Sequence, residues 1–329
     1  MLLPHERGPV SGHVIQVLAS GDEASPVALG PGDVLDDEDV QLALWIVYEL
    51  HYRGFDRVPA DREWDIGLVG LRKDIERRLE HELRARTRDQ LSGLPSVVPS
   101  SGDIGKQLLD LVAADDSPSP AAFMQRHASR DQLLDYLRER SIQQLKESDP
   151  QSFVLPRLDG AAKVALAELQ YDEYGGGRPD RLHSRMYADA LEAAGLDRTY
   201  GAYIDKVSAL SLTCTNAMTF FALNRRLRGA AMGHLAAFEA SSSVPCRKIA
   251  AGLERVGFPP AVTAYFHEHV EADAVHEHVA SSDICGAMVA EDPSLREDVL
   301  FGAATCLLLD ALSGAELLDR WTAEQEQAS

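Results

Sequence analysis

Apolar residues recur along most of this chain every three or four positions, and the alternating pattern typical of strands is scarce. This spacing places apolar side chains on one face of an α-helix, so the sequence predicts an all-α protein. The first two predicted helices cover residues 37–51 and 64–86. Eight more are predicted near 130–148, 159–174, 181–194, 198–224, 226–242, 244–255, 259–282 and 293–322.

Clusters of Gly, Pro, Ser and Asp mark the points where predicted helices end. They fall at 91–102, 115–120, 149–150, 175–179, 195, 241–245, 259–260 and 292–293. The first 35 residues are also rich in Gly, Pro and Ser, which predicts a partly extended or mobile leader. We therefore predict an N-terminal helical extension with this leader over residues 1–120 and a C-terminal helical bundle over residues 121–329.

Composition narrows the classes of partner. The chain has 329 residues, 45 % of them hydrophobic, and a net charge of −20 at pH 7. An acidic chain lacks the basic face that nucleic acid or an anionic membrane attracts, so neither is an expected partner. The N-terminus does not resemble a targeting signal, and no stretch approaches the roughly 18 apolar residues of a membrane span. A cytoplasmic location is the resulting expectation.

The four cysteines are far apart and form no C-x-x-C pair, as the positions Cys214, Cys246, Cys285 and Cys306 show. A disulfide framework or a zinc cluster is therefore not predicted, and buried reduced thiols are expected.

The strongest candidate chemistry lies in the helix that begins near Tyr265, YFHEHVEADAVHEHVA. His269, Asp273 and His276 are spaced i, i+4, i+7 and share one face with Val262 and Phe266. Titratable groups on an apolar face are costly unless they are paired or bind a metal. Two imidazoles and a carboxylate suit iron or manganese, whereas a His-rich surface helix is the alternative.

Acidic and histidine side chains interrupt apolar faces in other helices as well. Glu239 follows Met232 and Leu235, Glu173 continues the face of Leu166 and Leu169, and each group has an ordinary structural explanation when taken alone. Together with the last helix they give three Glu, one Asp and three His, which is a helical-bundle ligand set for two metals. The predicted ligands are Glu147, Glu173, His183, Glu239, His269, Asp273 and His276.

The segments ESDP from Glu147, LQYDEYGGG from Leu169, FEASSS from Phe238 and HVEADAVH from His269 resemble the haem-oxygenase-like di-iron oxidase and oxygenase superfamily, often described as iron-containing redox enzymes. The resemblance covers roughly residues 130–320 and implies a haem-oxygenase-like helical bundle. The extension, with YELHYRGF from Tyr48, is similar to that of a bacterial subgroup.

The resemblance also implies function. Two iron ions would be held by the seven residues, with Glu173 shared between them and no further catalytic residue assigned. Dioxygen would be the co-substrate and would form a peroxo-di-iron(III) species that oxidises a small metabolite. Amine N-oxygenation and oxidative C–C cleavage or decarboxylation of an amino or fatty acid are the expected reactions. A homodimer and an external electron donor are expected as well.

Two alternatives remain open on the same scaffold. One is a metal-free, thiaminase-like module with a cysteine nucleophile, for which Cys214 and Cys246 are the candidates. The other is a partner-binding helical module, which the acidic surface suggests. The apolar segment from Thr213 is interpreted as core helix rather than pocket lining, and Arg225, Arg226 and Arg228 as a solvated helix start.

Overall fold

A computed structural model of the chain describes residues 1–93 and 101–327, except for the side chains at 101–103, 271, 273, 274 and 324–327. Within these ranges the chain forms fourteen α-helices and no strand, which confirms the all-α prediction. The helices are α1 Pro9–Ser20, α2 Glu38–Glu49, α3 Ile66–Ser92, α4 Ser101–Ala113, α5 Pro120–Arg126, α6 Arg130–Gln144, α7 Asp149–Ser152, α8 Gly160–Glu173, α9 His183–Ala193, α10 Ala209–Leu223, α11 Arg228–Arg255, α12 Pro260–His278, α13 Ala287–Glu291 and α14 Arg296–Gln327. A π-helix, Val279–Gly286, joins α12 to α13, and short 3-10 helices cover Val34–Asp36, Ala60–Trp64, Leu155–Arg157, Pro179–Arg181, Arg225–Leu227 and Pro293–Leu295.

Helix α11 is at the centre of the bundle and packs against α12 on one side and α14 on the other. Two glycines make the approach to α14 close. A Cβ atom at Gly233 would lie 1.8 Å from the carbonyl oxygen of Val299, and one at Gly302 would lie 1.9 Å from that of Ala230. Since no side chain fits at these distances, glycine allows the two backbones to touch.

The N-terminal helices share a core with the bundle. Helix α2 packs against α10 and α3 packs against α14. Leu44 and Ile75 from these helices belong to the same buried apolar cluster as Phe220 and Phe301 of the bundle. The division at residue 120 stays a prediction, although the two parts are joined by continuous apolar packing.

Several predicted boundaries were wrong. The predicted mobile leader contains α1, whose Val10, Val14, Val17 and Leu18 are buried at helical spacing. The predicted helix 198–224 begins only at Ala209, after a series of turns. The predicted break at 241–245 is absent, because α11 continues through Pro245. Helices α4 and α5 were not predicted, and the predicted break at 91–102 lies mostly outside the described residues, in 94–100.

One helical stretch in the described part of the chain, Pro293–Ala323, is long and apolar enough to span a membrane by length and composition alone. A helix over 293–322 was predicted, but the prediction that no stretch approaches the apolar length of a span was wrong. Most of it is buried against α10 and α11, and a core helix of a soluble protein passes the same test.

Candidate metal centre

Six of the seven predicted ligands meet in the interior as two groups of three. Glu147, His183 and His269 form what we call the outer cluster, and Glu173, Glu239 and His276 form the inner cluster. Within each cluster one candidate ligand atom per residue lies within 4.8 Å of the other two. All six side chains are buried. Buried carboxylates and imidazoles at this density need a compensating partner, and a metal ion is one.

Glu173 contacts both clusters through its two oxygens. Its Oε2 lies 3.0 Å from Nδ1 of His183, and its Oε1 lies 3.1 Å from Nδ1 of His276. The hydroxyl of Ser148 donates to Oε2 at 2.8 Å and helps to fix the carboxylate. This is the arrangement that a carboxylate shared by two metal ions requires.

The outer cluster is oriented by Tyr265, one turn before His269 on α12. The Tyr265 hydroxyl donates to both carboxylate oxygens of Glu147, at 3.0 and 2.9 Å. The Tyr265 carbonyl accepts from Nδ1 of His269 at 2.8 Å. A carbonyl can only accept, so Nδ1 carries the proton and Nε2 is the atom that faces Glu147, 3.4 Å away. One residue thus sets the orientation of two candidate ligands.

Charge in the inner cluster is balanced by protons. Burial opposes protonation of His276, but the carboxylates of Glu173 and Glu239 raise the pKa of its imidazole to about 11. Burial likewise opposes ionisation of Glu173, yet His183 and His276 lower the pKa of this carboxyl well below its ordinary value. An imidazolium between carboxylates occupies the place that a divalent cation would take.

The donor set fits a metal ion. Within the described residues, Nδ1 of His183 and Nδ1 of His276 are buried and have no hydrogen-bond partner of acceptable geometry, although each lies near a Glu173 oxygen. Buried polar atoms normally find hydrogen bonds, so atoms that converge without them indicate a missing common partner. Carboxylate oxygens with imidazole nitrogens are the ligands of non-haem iron.

Local sequence explains how the outer ligands reach the centre. Helix α6 ends at Gln144, and Glu147 lies in the following turn, where Ser148 has a φ of 67° ahead of Pro150. His183 is the first residue of α9 and follows a loop with three glycines at positive φ, Gly175, Gly176 and Gly177. At Gly175 a Cβ atom would lie 2.4 Å from a backbone oxygen, so the tight return toward Glu173 requires glycine.

Two cavities adjoin the clusters. A cavity of about 20 Å³ contacts both, through Glu147 and His269 on one side and Glu173 and Glu239 on the other. A larger cavity of about 230 Å³ reaches only the outer cluster, at Glu147 and His269. Both cavities are lined by Gln143, Glu147, Phe238 and His269. The smaller cavity has room for about one water-sized molecule, and the larger one has room for a small metabolite.

The structure therefore brings together Glu147, Glu173, His183, Glu239, His269 and His276. Asp273 belongs to α12, but its side chain lies outside the described residues, so its assignment as a ligand stays a prediction. His267 and His278 are exposed on α12, as the sequence pattern indicated. Sequence reasoning missed Tyr265 and Ser148. Both could have been identified from the sequence by their positions, since Tyr265 lies four residues before His269 and Ser148 directly follows Glu147.

The fold and the centre define a class: an all-helical, haem-oxygenase-like protein with a buried carboxylate and histidine site suited to non-haem iron. A solved structure supports the fold. The CADD-like protein of unknown function from Nostoc punctiforme PCC 73102 superposes with a TM-score of 0.54 at 17 % identity, over 67 % of this chain and 97 % of that one.

The sequence comparison is more specific. The model of the family described as iron-containing redox enzymes matches residues 134–311, which is more than half of the chain. The chain belongs to this family and is an iron-containing oxidoreductase, as predicted. It is also 28 % identical over 145 residues to the nitrosourea synthase of Streptomyces achromogenes subsp. streptozoticus. That match covers 44 % of this chain and 31 % of the relative, so it spans about a third of the curated protein.

Proposed function

We propose that this protein binds two iron ions, one at each cluster, and uses dioxygen to oxidise a small metabolite in the larger cavity. The observation that carries the proposal is Glu173, whose two oxygens lie 3.0 and 3.1 Å from histidines of different clusters. A single carboxylate in this position links two three-residue sites into one di-metal centre.

The chain's own residues would prepare the site. Tyr265 fixes Glu147 and His269, and Ser148 fixes Glu173, so the ligands are held before the metal arrives. Phe238 and the buried surroundings limit water near the small cavity. Iron bound here would supply the electrons that reduce dioxygen and thereby provide the oxidant.

Oxidation at nitrogen is the favoured reaction. The name of the nitrosourea synthase, to which this chain is 28 % identical over 145 residues, denotes a product with a nitroso group. Oxidative C–C cleavage or decarboxylation of an amino or fatty acid is the second candidate. A fold supports many chemistries, so the substrate has to be argued from the cavity.

Of the two candidate cysteines of a metal-free mechanism, Cys214 is a poor nucleophile. Burial raises the pKa of the Cys214 thiol to about 12, which leaves it protonated and unreactive at neutral pH. We also propose a cytoplasmic location, a homodimer and an external electron donor.

The test is anaerobic loading of purified protein with Fe(II), followed by measurement of bound iron and of visible absorption after oxygen is admitted. We expect about two irons per chain and a coloured species that decays faster with the right substrate. His276→Ala should lose iron, whereas His278→Ala, exposed on the same helix, should not. Equal iron content in both variants, or no uptake by the natural protein, would overturn the proposal.

A further inference from the structure

The larger cavity contains a charged pair that the metal centre does not use. Arg140 on α6 and Asp310 on α14 both line it. Their nearest charged atoms, Nη1 of Arg140 and Oδ1 of Asp310, are 3.8 Å apart, which is too long for a hydrogen bond. Both side chains retain accessible surface, 22 % for Arg140 and 43 % for Asp310.

The guanidinium of Arg140 is unusually poorly satisfied. Within residues 1–93 and 101–327 it donates no hydrogen bond, and its Nε is buried without a partner. Arginine carries five donors in a rigid fork that matches a carboxylate. A half-buried arginine with unused donors, in a cavity beside the candidate metal centre, is therefore suited to hold an anionic group of a ligand.

The other arginine that lines the cavity is already engaged. Arg320 donates to Asp135 at 2.7 Å and to Glu139 at 3.1 Å. Glu139 in turn accepts from the hydroxyl of Ser211 at 2.7 Å. These groups satisfy one another and stabilise the cavity wall, whereas Arg140 and Asp310 keep donors and acceptors available for a ligand.

We propose that Arg140 and Asp310 together bind the charged head of an α-amino acid, with its carboxylate on Arg140 and its ammonium on Asp310. A group that carries both charges on neighbouring atoms can lie across this pair, whose nearest charged atoms are 3.8 Å apart, and contact the cation and the anion at once. The inference deepens the proposed function and rests on it for the role of the cavity.

The position of the head determines which part of the ligand meets the metal centre. Arg140 lies four residues before the end of α6 at Gln144, roughly 6 Å along the helix at about 1.5 Å per residue, and Glu147 lies in the turn beyond that end. Phe238, Tyr265 and Ile249 line the cavity with apolar surface and suit an aliphatic chain. The atom that is oxidised therefore lies far along the side chain and not at the α-amine.

Three probes of matched length test the head group: L-norleucine, hexanoate, which lacks the ammonium, and pentylamine, which lacks the carboxylate. Binding to the natural protein is measured by calorimetry without iron, so the result does not depend on catalysis. We expect norleucine to bind at least about tenfold more tightly than either probe, because each charge contributes a charge-assisted hydrogen bond.

Variants of the protein show which residue binds each charged group of the ligand. Arg140→Met should weaken norleucine and hexanoate at least about tenfold but leave pentylamine unchanged, and Asp310→Asn should weaken norleucine and pentylamine only. Arg140→Lys should restore part of the affinity, since the charge remains and the fork is lost. Arg138→Met, on the same helix and outside the cavity, is the matched control. Thermal unfolding of each variant checks that it folds.

Two outcomes overturn the inference: no preference for norleucine over the two probes, including no binding at millimolar concentration, or equal effects of Arg140→Met and Arg138→Met. Iron content separates this failure from that of the proposed function. A protein that binds iron but not norleucine contradicts the head-group assignment alone. A protein that binds norleucine with the predicted variant pattern but takes up no iron contradicts only the di-iron proposal.

Discussion

The outer and inner clusters contain the same kinds of side chain in different settings. The outer ligands Glu147 and His183 lie in a turn and at a helix start, and two of the three outer residues border the larger cavity. The inner residues Glu173, Glu239 and His276 all belong to helices, and none borders that cavity. The outer cluster is therefore buried but borders the larger cavity, while the inner one is surrounded by packed helices.

This difference suggests that the two sites of the proposed centre have different roles. An enclosed site on regular helices holds its ion firmly, because its ligands cannot rearrange without disturbing the bundle. A site beside a cavity must exchange water and substrate, and local opening costs less in turns than in a helical core. We expect the inner ion to anchor the centre and the outer one to meet the substrate.

The largest effect is expected from Glu173→Gln. This substitution keeps the side-chain volume and removes the negative charge of the carboxylate that contacts both clusters. Iron content should fall from about two per chain to near zero, since each site loses a ligand. The measurement is bound iron after anaerobic loading. Glu168→Gln, exposed on the same helix, is the control. Retention of one iron by the Glu173 variant would show that the carboxylate serves one cluster only.

Chelation separates the two sites. Iron should leave loaded protein in a fast phase from the outer cluster and a slow phase from the inner one, because only the outer site borders the larger cavity. Glu147→Gln should abolish the fast phase and Glu239→Gln the slow one. Stopped-flow mixing with a coloured chelator follows both. A single phase, or the opposite assignment of phases, would contradict the difference in accessibility.

The sequence correctly predicts which face of α12 is buried. His269 and His276 lie at the same helical spacing as Val262 and Phe266, and all four are buried. That result follows from helical periodicity alone, because burial on one face of an amphipathic helix is a local property. The all-α class and the family resemblance rest on the same kind of repeated local pattern.

The partition of the ligands into two clusters was not predictable. His183 pairs with Glu147 and His269, whereas Glu239 joins Glu173 and His276, and these groupings depend on how α8, α9, α11 and α12 pack. The turn at Glu147 was also missed, since the predicted helix ran to 148 while Ser148 adopts a positive φ. Arg140 lies on the helix that leads to Glu147, but only the cavity distinguishes it from a surface arginine.

The smallest expected effect concerns the contact between the N-terminal extension and the outer cluster. Lys146, next to Glu147, is buried, and its Nζ lies 3.5 Å from Oε2 of the buried Glu49 at the end of α2. Tyr200 donates to the same oxygen at 2.7 Å, and Arg53 donates to the carbonyl of Leu145 at 3.4 Å. The extension thus holds the turn that carries an outer ligand.

Lys146→Met should lower the free energy of unfolding by about 3 kcal/mol or more, because it leaves the Glu49 charge buried without its cation. The double variant Lys146→Met with Glu49→Gln should recover most of that loss, since the uncompensated charge is gone. Urea unfolding of the iron-free protein measures both. With iron loaded, the single variant should weaken the outer site by roughly tenfold, as loss of an outer-shell partner does, and speed only the fast chelation phase. If both phases change equally, the extension stabilises the bundle as a whole and does not position the outer cluster.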